Sequence, residues 1–118
     1  MIKSIGTDLV EISRIEEIGI EKFADRILDQ EEKNEFKLIT HQNRKLSYLA
    51  GRFAAKEALF KCFKQGDKTA SYKDFRILND SVGAPYVLST HTLNYEVHIT
   101  ISHTNTHAIA FVVLETKV

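Results

Sequence analysis

Residues that cross-link a chain or interrupt its secondary structure are scarce here. Among 118 residues there are one cysteine (Cys62), one proline, five glycines and no tryptophan. A single thiol excludes an internal disulfide framework and is typical of a reducing compartment, so we predict a cytoplasmic protein. No tract rich in Gly or Pro marks a linker, and we predict a single domain over residues 1–118.

An excess of charge of either sign is absent as well. Sixteen Lys and Arg residues balance sixteen Asp and Glu residues, so the formal net charge is zero. A dedicated nucleic-acid binder normally shows a basic excess, and we therefore predict no nucleic-acid partner. No apolar run has the length of a membrane span, and Lys3 and Asp8 interrupt the N-terminal apolar run. These features predict neither a membrane-spanning helix nor a signal peptide.

The balanced charges are unevenly distributed along the chain. Between residues 37 and 64, seven Lys and Arg residues face one carboxylate, Glu57. A local basic field on a neutral protein suits a compact anionic ligand or an acidic protein partner. The alternative is a helix face that is merely solvated.

The pattern of the first half predicts a strand followed by helices. Residues 2–11 are too densely apolar for a loop and predict a strand. Ser13 is expected to cap a short helix that ends at Gly19. Asp29 and Glu32 have the spacing of a capping box, which predicts a helix through about Ile39. A short helical stretch is expected between these two, around residues 23–28.

Helical spacing is most regular between about Gln42 and Lys64, with Gly66 as a natural end. Gly51 lies inside this long helix at a cost of about 1 kcal/mol relative to Ala, which suggests close packing against a neighbour. Short strands are predicted at residues 75–78, 86–88, 95–102 and 108–114. The fold class is therefore α+β, with an antiparallel sheet, one long helix and shorter helices.

An acid within the first strand is the first candidate for chemistry. Asp8 lies in the apolar run Ile5-Gly6-Thr7-Asp8-Leu9-Val10. A carboxylate there loses hydration unless a cation or a hydrogen-bond donor meets it. The alternative is an acid at the end of a strand that faces solvent.

The long helix carries the second candidate. Glu57 and Lys61 are one turn apart, roughly 6 Å along the axis. Alone they predict a surface salt bridge, but Phe53 shares their face, so part of it should approach the core. Arg52 and Lys56 form an adjacent row of cations. Together with Asp8, Glu57 could supply two oxygens to Mg²⁺ and leave positions for water and a diphosphate.

The third candidate is the turn at Ser102-His103-Thr104, where backbone amides and an imidazole could meet a phosphate. A histidine at a turn is more often only a turn residue. His98, His103 and His107 also raise the alternative of a zinc-binding interaction domain. Their spacing matches no established ligand pattern, which disfavours zinc.

Three ordered segments carry a resemblance to a known family. They are Gly6-Thr7-Asp8-Leu9-Val10-Glu11-Ile12, then Arg52-Phe53-Ala54-Ala55-Lys56-Glu57-Ala58 with Lys61, then Ile101-Ser102-His103-Thr104. In these segments, and in length, the chain resembles the bacterial holo-acyl-carrier-protein synthases. These small phosphopantetheinyl transferases move the 4′-phosphopantetheine arm of coenzyme A onto a serine of apo acyl carrier protein, releasing adenosine 3′,5′-bisphosphate, in fatty acid biosynthesis.

The resemblance implies a 4′-phosphopantetheinyl transferase-like fold, a homotrimer and a set of site residues. Asp8 and Glu57 resemble the Mg²⁺ ligands, and Lys61 resembles the lysine that contacts the phosphates; these three are the implied catalytic residues. The implied contacts to the nucleotide part of coenzyme A are Arg52, His103 and Thr104, and the implied contact to the carrier protein is Arg14.

The sequence departs from the family just after Lys61. Many members continue with a Leu-Gly-Thr-Gly run, of which the stretch Cys62-Phe63-Lys64-Gln65-Gly66 keeps only the last glycine. A loop that closes over coenzyme A is then expected to have a different shape. A non-catalytic module that binds coenzyme A is the competing hypothesis for such a chain.

Overall fold

A computed structural model describes residues 1–63 and 71–117 and places four α-helices and five strands in them. The strands are β1 (Ile2–Glu11), β2 (Arg76–Asn79), β3 (Pro85–Leu88), β4 (Tyr95–His103) and β5 (His107–Thr116). The helices are α1 (Ile12–Ile18), α2 (Ile20–Ile27), α3 (Gln30–Lys37) and α4 (Gln42–Cys62), with 3₁₀ helices at Tyr72–Asp74 and Thr90–Thr92. The predicted α+β class is confirmed.

The main sheet has three antiparallel strands in the order β1-β5-β4, and β2 and β3 form a separate hairpin. The inward side chains of the central strand are all buried: Ala108, Ala110, Val112 and Leu114. Helix α4 packs against this inner face and closes the core with buried apolar residues such as Leu49 and Leu59. None of the helices within residues 1–63 and 71–117 is both long and apolar enough to span a bilayer.

Two predicted helix boundaries differ from the structure. The first helix begins at Ile12, so Ser13 lies inside it and does not cap it. The reason is that β1 runs directly into α1, where the Ile12 amide donates to the Thr106 carbonyl at 2.9 Å. The third helix ends at Lys37, because Leu38 and Ile39 close its last turn with bonds to the third preceding carbonyl. The end predicted at Gly66 lies outside the described residues.

Gly6 allows β1 to lie directly on α4. A Cβ at this position would stand 2.1 Å from the carbonyl oxygen of Ala58 and 3.0 Å from the sulfur of Cys62. A contact with helix backbone cannot be relieved by a change of rotamer. Gly51 makes the close approach predicted for it, since its Cβ would stand 2.9 Å from Ile101 Cγ2, a side-chain atom and not helix backbone. Glycine at position 6 therefore fixes the spacing between the strand of Asp8 and the helix of Glu57.

We expect Gly6→Ala to lower the free energy of unfolding by about 3 kcal/mol, at the upper end for overpacking, because strand or helix must move. Urea denaturation measures this change. Gly51→Ala is the matched control, since the cost of shifting Ile101 is offset by a gain of about 1 kcal/mol in helix propensity. Equal stability of the two variants would contradict the close packing of β1 on α4.

Arg52 and Lys56, the adjacent row of cations on α4, are both buried. The Lys56 side chain is 0% exposed and its Nζ lies 2.7 Å from Glu32 Oε1, while the Ile27 carbonyl accepts a second bond at 2.6 Å. Arg52 is also buried and lies 3.0 Å from a Glu35 oxygen. Both cations connect α4 to α3, because burying a charge requires an ionised partner.

Candidate active site

Lys61 and Asp8 meet across the contact between α4 and β1. The Lys61 ammonium donates to Asp8 Oδ1 at 3.1 Å and to the Thr7 carbonyl at 2.8 Å. The Asp8 side chain is 20% exposed and that of Lys61 is 56% exposed. The acid of the first predicted segment and the lysine of the second are thus brought together, with the ammonium open to a ligand.

Glu57 lies one turn before Lys61 on α4, but its partner is Tyr72. The Tyr72 hydroxyl donates to Glu57 Oε1 at 2.7 Å. Burial raises the pKa of Tyr72 to about 12, and the negative charges of Glu57 and Asp8 act in the same direction. Within the described part of the chain no ion pair joins Glu57 to Lys61, because Lys61 pairs with Asp8 instead. The surface salt bridge predicted from spacing alone is therefore not formed.

Each carboxylate keeps one oxygen that no described residue occupies. Lys61 takes Oδ1 of Asp8 and Tyr72 takes Oε1 of Glu57, while Oδ2 and Oε2 receive no hydrogen bond from residues 1–63 and 71–117. Mg²⁺ binds one or two protein carboxylates and completes its shell with water and phosphate oxygens. The donor set of Asp8 and Glu57 fits that ion.

An apolar recess of about 110 Å³ adjoins this cluster. Its lining is Val10, Ile15, Ile18, Phe23, Phe53 and Tyr72, with the guanidinium-bearing side chains of Arg14 and Arg26 alongside. Arg14 and Arg26 are exposed. The recess therefore has an apolar lining flanked by two cationic side chains, Arg14 and Arg26, and it lies beside the Tyr72 hydroxyl that binds Glu57.

Comparison with known proteins decides the family. The model of the 4′-phosphopantetheinyl transferase superfamily matches residues 4–112, nearly the whole chain. The chain belongs to this superfamily. The resemblance predicted from three short segments is confirmed.

Holo-[acyl-carrier-protein] synthases from other bacteria are similar to this chain over nearly their whole length. The holo-[acyl-carrier-protein] synthase of Acholeplasma laidlawii is 72% identical over 118 residues, which cover 100% of both chains. The crystal structure of the Bacillus anthracis synthase in complex with CoA (3′,5′-ADP) has a TM-score of 0.90 at 40% identity, covering 99% of each chain. The Helicobacter pylori synthase in complex with coenzyme A has a TM-score of 0.78 at 33% identity, covering 94% of this chain and 99% of that one.

His103 and Thr104 lie at the turn between β4 and β5 of this transferase, apart from the carboxylates. Asp8 pairs with Ala110, which pairs with Ile101 on β4, so His103 lies two strands across and two residues further along. Strand spacings place its Cα about 12 Å from that of Asp8. His103 and Thr104 are both exposed. The Thr104 hydroxyl accepts a hydrogen bond from the His107 amide at 3.1 Å.

Arg52 is not brought into the cluster of Asp8, Glu57 and Lys61. It precedes Glu57 by five residues, which turns its side chain about 140° around the helix. Its guanidinium donates to Glu35 and to the Ile77 carbonyl, and its Cζ lies 4.3 Å from the centre of the Tyr48 ring. Its role as a contact to the nucleotide stays a prediction.

The three histidines considered for zinc do not converge. On the outer face of the sheet, His98 Nε2 lies 2.9 Å from Glu115 Oε1. These two residues and Glu96 form a group whose possible ligand atoms all lie within 4.8 Å of one another. This is the only such group of three among the described residues, and it includes neither His103 nor His107.

Tyr72 is the site residue that sequence reasoning missed. It follows residues 64–70, which include most of the altered loop and lie outside the described residues. The spacing of Ser71 and Asp74 was the one available signal, since the Asp74 carboxylate accepts from the Ser71 amide at 2.9 Å and closes the 3₁₀ turn that carries Tyr72.

Proposed function

We propose that the chain transfers the 4′-phosphopantetheine arm of coenzyme A to a serine of apo acyl carrier protein in fatty acid biosynthesis, with Mg²⁺ held by Asp8 and Glu57. One observation carries the proposal: the Lys61 ammonium lies 3.1 Å from Asp8, one turn after Glu57. Two segments 53 residues apart thereby supply two carboxylates and a cation to one surface. The full-length match to named synthases supports the same activity.

The geometry suits displacement at phosphorus. The serine oxygen of the carrier loses its proton to the medium and forms a bond to the phosphorus that bears pantetheine. The bond from that phosphorus to the bridging oxygen breaks, and the bisphosphate leaves with that oxygen and the bonding electron pair. A divalent cation held by Asp8 and Glu57 would supply positive charge to the diphosphate oxygens. The half-exposed Lys61 ammonium can reach those oxygens and stabilise the charge that develops on the leaving group. No nucleophile from the chain is needed.

His103 and Thr104 suit a part of coenzyme A remote from its diphosphate. Within one subunit, strand spacing separates them from Asp8 by about 12 Å, so they lie apart from the carboxylates of their own subunit. In the proposed homotrimer, the carboxylates of one subunit and the nucleotide contacts of the next complete one site.

The outer face of the three-stranded sheet supports assembly with further copies. Its exposed apolar side chains are Ile5, Leu9, Ile109 and Phe111. Leu9 pairs with Ile109 and Thr7 with Phe111, so the side chains form one continuous patch. Contiguous apolar patches on a soluble protein mark interaction surfaces. Three copies related by a closed rotation would cover all such faces.

We expect Phe111→Glu to convert the trimer into monomers, because three introduced carboxylates would be buried together without partners. Light scattering coupled to size exclusion should show the mass fall to one third. Transferase activity should fall with it if each site needs two subunits. Val82→Glu is the control, since Val82 is 86% exposed on the β2–β3 turn, away from this face. A monomeric wild-type protein with full activity would refute the trimer.

The recess beside Tyr72 suits the carrier protein. Arg14 and Arg26 can pair with an acidic helix, while Val10, Ile15 and Phe53 offer apolar contact. Docking there would bring the carrier serine next to the carboxylates. The cytoplasmic location inferred from the single cysteine stays a prediction.

A mass measurement tests the proposed function. Apo acyl carrier protein incubated with the chain, coenzyme A and MgCl₂ should gain the mass of one phosphopantetheine group. Binding of coenzyme A in calorimetry without any mass gain would instead establish the non-catalytic module.

A further inference from the structure

Tyr72 is, among the described residues, the one neutral side chain bonded to Asp8 or Glu57. Its hydroxyl donates to Glu57 Oε1 at 2.7 Å. This short distance is typical of a hydroxyl that donates to an ionised carboxylate. A carboxylate held in this way loses freedom to rotate about its last bond, so the direction of its second oxygen is set.

Packing fixes the phenol as well as the hydrogen bond does. The Tyr72 ring lies between Phe53 and Phe60, with ring centres 5.6 and 5.2 Å away. These residues are four before and three after Glu57, so all three share one face of α4. The 3₁₀ turn at Tyr72–Asp74 holds the backbone. Tyr72 is therefore anchored on the helix face that presents Glu57.

This anchoring limits how Glu57 can bind a cation. With Oε1 engaged by the phenol, Oε2 is the oxygen that residues 1–63 and 71–117 leave available to a metal. Mg²⁺ demands compact octahedral geometry, whereas Ca²⁺ is larger and accepts both oxygens of one carboxylate. A carboxylate restricted to one oxygen suits the smaller ion.

We propose that Tyr72 is a positioning residue that presents Glu57 to the divalent cation through a single oxygen, and that it thereby favours Mg²⁺ over Ca²⁺. The inference rests on the proposed function, in which Glu57 is a metal ligand. It assigns to Tyr72 a role that neither the three family segments nor the altered loop contains.

The test is the variant Tyr72→Phe, which keeps the ring and removes only the hydroxyl. Mn²⁺ binding is measured from the signal of the free ion in electron paramagnetic resonance, with coenzyme A present and carrier protein absent so that no turnover occurs. We expect the Kd for Mn²⁺ to rise about tenfold, as for the loss of a residue that orients a metal ligand. Competition against Mn²⁺ should show the ratio of Ca²⁺ to Mg²⁺ affinity shifting toward Ca²⁺.

Tyr48→Phe is the matched control. Tyr48 also donates to a carboxylate oxygen, Glu35 Oε1 at 3.0 Å, but in the cluster of Arg52. This variant should bind Mn²⁺ as the wild type does. Thermal unfolding of both variants separates a loss of stability from a loss of metal affinity.

The outcomes distinguish the inference from the function beneath it. If Tyr72→Phe keeps wild-type Mn²⁺ affinity and Ca²⁺/Mg²⁺ selectivity while Glu57→Gln loses binding, the role of Tyr72 is overturned and the metal site stands. A lowered unfolding midpoint with unchanged Mn²⁺ affinity also overturns it. If Glu57→Gln binds Mn²⁺ normally, the metal site itself is wrong.

Discussion

Glu57→Gln is expected to lower kcat at least about 100-fold while the protein keeps its fold, because charge stabilisation at the reacting phosphate is a large part of such catalysis. The Tyr72 hydroxyl, which now donates to Glu57 Oε1 at 2.7 Å, can still donate to the amide oxygen of the variant. The amide nitrogen, a donor, then faces the position of the cation. The side chain keeps its size and its hydrogen bond but loses its ability to bind a metal.

Steady-state transfer to apo carrier protein at increasing MgCl₂ measures this effect. Asp8→Asn should reduce turnover in the same way, since Asp8 is the second proposed ligand. Glu31→Gln is the control, because Glu31 is an exposed acid on α3 outside the site. Turnover of Glu57→Gln within a few-fold of the wild type would remove Glu57 from the site.

The second large effect concerns stability. Glu32→Gln is expected to lower the free energy of unfolding by about 3–5 kcal/mol, as for one half of a buried ion pair. Glu32 Oε1 accepts from Lys56 and from the Asp29 amide, and Oε2 accepts from the Ile77 amide. Glutamine has one acceptor oxygen, so its NH₂ group must face a donor, and the Lys56 charge stays buried without its counter-charge.

Urea denaturation at one protein concentration measures this loss, since assembly contributes to apparent stability. The double variant Glu32→Gln with Lys56→Met should cost clearly less than the sum of the single variants, because the unpaired charge is gone. Asp25→Asn is the control; Asp25 pairs with Lys33 at 2.9 Å on the surface, and its loss should change little. Additive single effects would contradict a buried pair.

The sequence was sufficient for the elements whose residues interact locally. The strand predicted at residues 95–102 forms as β4, and its alternating apolar residues Val97, Ile99 and Ile101 turn inward. The capping box at Asp29 and Glu32 forms as predicted, because both bonds lie within one turn. The start of α1 was missed because a carbonyl from the distant turn at Thr106 fixes it.

Contacts between distant segments were not readable from patterns alone. From the sequence, Lys56 resembles a solvated cation on a helix and Glu32 a capping residue. The bond that joins them in the structure spans 24 positions, so no local pattern indicates it. Donor chemistry alone suggested that Asp8 and Glu57 share a metal site, but the bond between Asp8 and Lys61, which spans 53 positions, could not be predicted from spacing. Tyr72 belongs to no family segment, and its bond to Glu57 depends on how the chain returns after residue 70.

Anomalous scattering tests the central claim most directly, that Asp8 and Glu57 hold a divalent cation where coenzyme A presents its diphosphate. Crystals of the chain grown with MnCl₂ and coenzyme A should show an anomalous difference peak between these two carboxylates, with phosphate oxygens completing the shell. A peak at the Glu96, His98 and Glu115 group alone, with coenzyme A bound and none at Asp8 and Glu57, would contradict the account.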